Sequence, residues 1–153
     1  MVKLKKTATI EASPEEVFNY LNKPENWREL YPKISQLWDV KALPNGGYRY
    51  NWMFNMAGIT TVDVVTENTD VVRNHRLDYR NTCGLKGKRQ YTEVNESFTL
   101  EPADGATRLS YAADYVVHIP IVGRVLELIF SRMYDIKINV VIANLKKKMK
   151  SLR

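Results

Sequence analysis

The groups in this 153-residue chain with types suited to acid–base or nucleophilic chemistry are few and scattered. Glu96 shares the alternation of Val94, Phe98 and Leu100, which turns its carboxylate inward. A carboxylate in that position must be paired, hydrogen-bonded or protonated, so Glu96 is the leading candidate for a polar ligand contact. An edge position in water is the competing reading. His75 shares the phase of Leu77 and Tyr79, which aims it inward as an acid–base candidate. It also begins a strand, where alternation is least reliable, and a structural role is the leading reading. His118 falls on the polar side of its strand and is read as solvent-facing. Cys83 stands alone, which excludes an intrachain disulfide and favours a structural or loop cysteine over a reactive one. There is no Cys/His cluster with zinc spacing, no Gly-rich phosphate loop and no nucleophile-elbow motif. Neither a metal nor a cofactor is expected, and no catalytic residue is assigned beyond the weak candidates His75 and Glu96.

The elements that must position these groups follow from local pattern. Residues 2–12 alternate loosely as a first strand. Ser13-Pro14-Glu15-Glu16 then opens a helix: Ser13 caps, Pro14 suits the first helical position and Glu16 completes a capping box. Pro24 starts a second short helix with Trp27 and Leu30 inward, and Pro32 ends it. From Lys33 the period moves toward two. Strands are expected over 34–42, 48–56, 59–67, 74–82, 88–100 and 107–119. Turns are expected at Pro44-Asn45-Gly46-Gly47 and Pro102–Gly105, and a loop at Cys83–Gly87. Pro120 introduces a helix over about 122–150. Its apolar positions 122, 125, 126, 129, 130, 133, 136, 140, 141, 145 and 149 form an arc wider than one flat surface would bury.

Composition sets the class. Hydrophobic content of 44% and charged content of 26% describe an ordinary globular chain, read as a single domain over 1–153. The net charge of +6 is concentrated at one end, because Lys146, Lys147, Lys148, Lys150 and Arg153 leave only about +1 for the rest. That distribution lacks the general basic surface of a nucleic-acid binder, and none is expected as a partner. The basic end complements a helix dipole, or adds a transient contact with an anionic membrane surface. With no apolar signal region and no span of membrane length, a cytoplasmic location is expected.

The phrase Ile10-Glu11-Ala12-Ser13-Pro14-Glu15-Glu16-Val17-Phe18, followed by Pro24-Glu25-Asn26-Trp27, resembles the opening of the START-like, helix-grip superfamily. Asn74–Tyr79 and Gly105–Tyr111 match it further along, and the likeness covers nearly the whole chain. This superfamily includes polyketide cyclase/dehydrase-like, lipid-transfer, plant hormone-binding and coenzyme Q-binding proteins. The resemblance implies an α+β fold, with a seven-stranded curved antiparallel sheet wrapped around the C-terminal helix and an apolar cavity between. It implies a hydrophobic small-molecule partner such as a lipid, an isoprenoid quinone or a polyketide-like aromatic. Tyr50, Trp52, Phe54, Leu77, Tyr79, Phe98, Tyr111 and Tyr115 on the sheet would line that cavity, with Leu126, Ile129, Phe130 and Met133 on the helix. The same aromatics would also make a solid core. A cyclase, aromatase or dehydratase without a metal is the alternative, using His75, Glu96 or a tyrosine to move protons. An interaction module using the helix's wide apolar face is the third reading.

Overall fold

The structure, a computed structural model, describes the backbone of residues 2–56, 60–85, 90–117 and 123–152. His118, Pro120 and the side chains of Leu126 and Phe130 lie outside the described residues. The chain opens with β1 (Val2–Ile10), then α1 (Pro14–Leu21), a single 3-10 turn at Pro24–Asn26 and α2 (Trp27–Leu30). Six strands follow: β2 (Ile34–Ala42), β3 (Tyr48–Met56), β4 (Thr60–Val72), β5 (Arg76–Leu85), β6 (Gln90–Ala103) and β7 (Ala106–Val117). The last element is α3 (Gly123–Ser151).

All seven strands form one antiparallel sheet in the order β1-β7-β6-β5-β4-β3-β2. Strict alternation drives this arrangement. On β7, Thr107, Leu109, Tyr111, Ala113, Tyr115 and Val117 are buried while their neighbours are not, and Tyr50, Trp52 and Phe54 do the same on β3. Register shifts in the β2/β3, β4/β5 and β5/β6 ladders are bulges, which bend strands and deepen curvature. Asp39, inside one of them, takes a left-handed φ of 55°.

The capping box is present in full. The Glu16 amide donates to Ser13 Oγ at 3.2 Å, and the Ser13 amide donates to Glu16 Oε2 at 3.0 Å. It fixes the entry of α1, which buries Val17, Phe18 and Leu21. Trp27 then donates its indole N–H to the Leu21 carbonyl at 3.0 Å and sets its ring edge-on to Tyr79 and Phe98. Asn144 donates to the Leu30 carbonyl at 2.9 Å, and Lys6 pairs with Asp135 at 2.8 Å, tying α3 to α2 and β1.

Several strand boundaries differ from the sequence reading, two of them on β4 and β5 beside the interior cluster. β4 runs on to Val72 instead of ending near 67, and Cys83–Leu85, expected in a loop, continue β5. Ladder pairing explains both: Val72 finds Arg76 across a tight turn, and Cys83 finds Val64 and Thr92 on its two sides. The final helix also divides its apolar residues between two faces. Tyr134, Ile138, Val141, Leu145 and Met149 are buried on the sheet side, whereas Val125, Leu128, Ile129, Ile136 and Val140 are exposed. The wide arc is therefore two stripes, and only one of them faces the sheet.

Candidate functional site

Among the described residues, the buried face of α3 includes one charged residue. Lys137 lies three residues after Tyr134 and four before Val141, so helical geometry carries it to the same side as both. It is only 8% exposed. On the facing sheet, the inward phase of β6 brings Glu96 to the interior, 6% exposed, with its Oε1 3.6 Å from Lys137 Nζ. The neighbouring strands supply the remaining partners. Asn81 on β5 donates to Glu96 Oε1 at 2.6 Å, and Tyr111 on β7 donates to Glu96 Oε2 at 2.5 Å. Behind Asn81 a relay fixes its orientation. Trp52 Nε1 donates to Thr66 Oγ1 at 2.8 Å, and Thr66 in turn donates to Asn81 Oδ1 at 2.5 Å. The groups around Glu96 are all donors, matching the acceptor-only inventory of a carboxylate.

Lys137 is held differently. Its ammonium lies 4.8 Å from the Tyr134 ring centroid, 5.2 Å from Trp52 and 5.8 Å from Tyr31. These three rings make a cation–π enclosure. Among the described residues no acceptor lies within hydrogen-bond reach of Nζ, and Glu96 is the counter-charge. The low-dielectric surroundings act on every phenol nearby. Burial, the Glu96 charge and the hydrogen bond to Glu96 hold the Tyr111 hydroxyl far above its ordinary value. Burial likewise raises Tyr50, Tyr79 and Tyr134. It also pushes the Cys83 thiol up to about 11, which makes this cysteine a poor nucleophile.

Space beside the cluster is small. One cavity of about 20 Å³ is bounded by Trp27, Tyr50, Trp52, Asn81, Glu96 and Lys137. A second, of about 10 Å³, lies against Tyr31, Phe54, Cys83, Met133 and Tyr134. Each is close to the volume one water needs. Trp52 and Lys137 border both and separate them. A larger depression of about 320 Å³ opens on the sheet's outer side among Lys3, Lys5, Asp78, Asn95, Ser97 and Asp114. Its charged, solvent-facing lining is unsuited to an apolar ligand.

A buried ion pair thus lies where the C-terminal helix packs on the curved sheet. Residues 1–150 match the family described as polyketide cyclase / dehydrase and lipid transport. The chain belongs to this family. No curated protein sequence matches it. Among solved structures it is similar to TTHA0849 from Thermus thermophilus, with a TM-score of 0.78 and 16% identity over 99% of each chain. It is also similar to a START superfamily protein from Mycobacterium smegmatis, with a TM-score of 0.72 and 16% identity over 99% of each chain. Ara h 8.0201 gives a TM-score of 0.72 and 17% identity over 98% of each chain. At these identities the likeness shows the fold, which is the START-like helix grip.

Within this polyketide cyclase/dehydrase-like chain, Tyr50, Trp52, Tyr79 and Glu96 border the first cavity, and Trp52, Phe54 and Met133 the second. Leu77, Phe98, Tyr111 and Tyr115 are packed in the core, with Tyr111 held by Glu96. Ile129 is 46% exposed on the outer stripe of α3, away from these cavities. His75 requires a correction. It is an exposed turn residue whose Nδ1 lies 3.1 Å from the Leu100 carbonyl, a structural contact remote from the Glu96 cluster. Alternation fails there because Asn74 takes a left-handed φ of 62° and reverses the chain just before it. The sequence reading missed Lys137, Asn81, Thr66, Tyr31 and Tyr134. Helical spacing from Val141 and Leu145 was the signal available for Lys137, and the strand phase of Leu77 and Tyr79 was the one for Asn81.

Proposed function

We propose that this protein binds a hydrophobic small molecule between the concave sheet and α3, with the Glu96–Lys137 cluster orienting it. The observation that carries this reading is the buried ion pair itself. Replacing such a pair with apolar residues is commonly neutral or stabilising, so stability alone does not account for keeping it in an aromatic interior. The family's description supports the class of ligand, because cyclase and dehydrase substrates and transported lipids are all largely apolar. Since each cavity has room for about one water, a ligand enters by displacing side chains. Met133, on the helix side of the second cavity, is the most adaptable of them.

Native mass spectrometry of the purified protein tests this. The expected result is a one-to-one adduct of an apolar molecule, or saturable binding from a panel of lipids, quinones and polyketide-like aromatics. No adduct and no binding would remove the reading.

An enzyme of cyclase or dehydratase type is the second reading. It is favoured by the convergence of a carboxylate, a phenol and an ammonium around one point, the set needed to move protons at a bound carbonyl compound. It predicts that the bound molecule changes mass on incubation with the wild-type chain and not with Glu96→Gln.

We further propose that cargo is collected at an anionic membrane surface. The exposed stripe of Val125, Leu128, Ile129, Ile136 and Val140 continues along α3 into exposed Lys146, Lys147 and Lys150, pairing apolar area with positive charge. No described helix is long and apolar enough to cross a membrane. Sedimentation should show binding to anionic but not neutral vesicles, weakened by salt and by converting Lys146, Lys147 and Lys150 to Gln. Equal partitioning of wild type and triple variant would exclude the tail.

A further inference from the structure

The geometry points to a ligand that presents a neutral carbonyl oxygen to Lys137, and not an acidic head group. The inference rests on the small-molecule binding reading and narrows its chemistry. Lys137 is buried, and its ammonium stands 3.6 Å from Glu96 Oε1 and against three aromatic rings, with capacity to donate to a ligand oxygen as well. A second buried donor stands close by. The Tyr115 hydroxyl has no hydrogen-bond partner among the described residues, and its ring lies 5.2 Å from that of Tyr134, one wall of the Lys137 enclosure. Both groups can donate to a ligand oxygen placed between the sheet and α3.

Charge then discriminates between head groups. Lys137 and Glu96 cancel, so a neutral ligand leaves the interior neutral. A carboxylate or phosphate would add an uncompensated negative charge beside Glu96, and a cationic head would face the Lys137 ammonium. A carbonyl oxygen has lone pairs and no charge, which answers these constraints. The aromatic walls of Trp27, Tyr31, Trp52 and Tyr134 suit a flat or conjugated body behind it.

Three fluorescent probes sharing one ring system test the assignment: 2-dimethylaminonaphthalene, its 6-propionyl ketone and its 6-carboxylate. Each is titrated against the full chain at neutral pH. The expected result is that wild type binds the ketone about tenfold or more tighter than the parent amine, and tighter than the carboxylate. Ketone bound to wild type should emit at longer wavelength than ketone bound to Lys137→Met, because only the former accepts the hydrogen bond. In Lys137→Met the preference for ketone over parent amine should fall to about one. Should Lys137→Met fail to fold with Glu96 unpaired, the Lys137→Met/Glu96→Gln double variant removes both charges and carries the same comparison. An undiminished ketone preference without Lys137, or tighter binding of the carboxylate, would overturn the inference. Equal binding of parent amine and ketone by wild type would overturn it while leaving the binding reading intact. Failure of all three probes to bind would sink both.

Discussion

Glu96→Ala should cost about 3–5 kcal/mol of stability, a fall in melting temperature on the order of 10 °C. The loss comes from the groups left behind. Lys137 would keep a charge in an aromatic enclosure with no counter-ion, and Asn81 and Tyr111 would each lose an acceptor inside the core. Lys137→Met should be comparably severe, because it strands the Glu96 carboxylate. Combining Lys137→Met with Glu96→Gln should cost clearly less than the two single changes added together. The double variant buries no unpaired charge, and the Gln carbonyl still accepts from Asn81 or Tyr111. Denaturant unfolding of the wild type, Lys137→Met, Glu96→Gln and double-variant proteins gives the coupling directly. Single changes costing less than about 1 kcal/mol, or strict additivity, would mean that the pair is screened by water. The anchor assigned to it would then fall.

How far the cluster could be read from sequence depends on the element each member occupies. Strand alternation is unforgiving, since a slip of one residue reverses every side chain. Val94, Phe98 and Leu100 therefore sufficed to turn Glu96 inward. The capping box at Ser13 and Glu16 is local chemistry and was legible for the same reason. Helical phase is looser. Reading the apolar positions of α3 as one arc hid the fact that Ile129, Ile136 and Val140 lie on a second stripe facing solvent. Lys137 passed for a polar interruption because a long charged side chain is ordinarily a surface residue. Its burial depends on a counter-charge from β6 and three rings, Tyr31 just after α2, Trp52 on β3 and Tyr134 on α3, none adjacent in sequence except Tyr134. Asn81 lay within the expected strand 74–82, in the inward phase of Leu77 and Tyr79, and was passed over because an amide side chain is ordinarily a surface group. His75 erred in the opposite direction, because alternation was carried across a turn.

The fold should also fail abruptly in alkali, and the tyrosines set where. Tyr31, Tyr50, Tyr79, Tyr111, Tyr115 and Tyr134 are all buried, and burial raises the ionisation of each above the ordinary phenol value near 10. For Tyr50, Tyr79, Tyr111, Tyr115 and Tyr134 the Glu96 charge adds to the effect. The sign follows from proton counting. Below pH 10 folded and unfolded chains both hold these phenolic protons, and their contribution is fully present. Above it the unfolded chain releases them while the folded chain keeps them, so stability falls with rising pH. Each phenol contributes a slope of up to about 1.4 kcal/mol per pH unit in that window. Even half of them acting together would exhaust a stability of about 5–15 kcal/mol within a few units. Absorbance at 295 nm should therefore show little ionisation of the buried phenols until the far-ultraviolet circular dichroism collapses, after which the two signals should change together. Smooth titration of all nine tyrosines near pH 10 with the fold intact would show that the interior is open to water. A site that wet would give Glu96 and Lys137 no advantage over water in holding an apolar ligand's polar end.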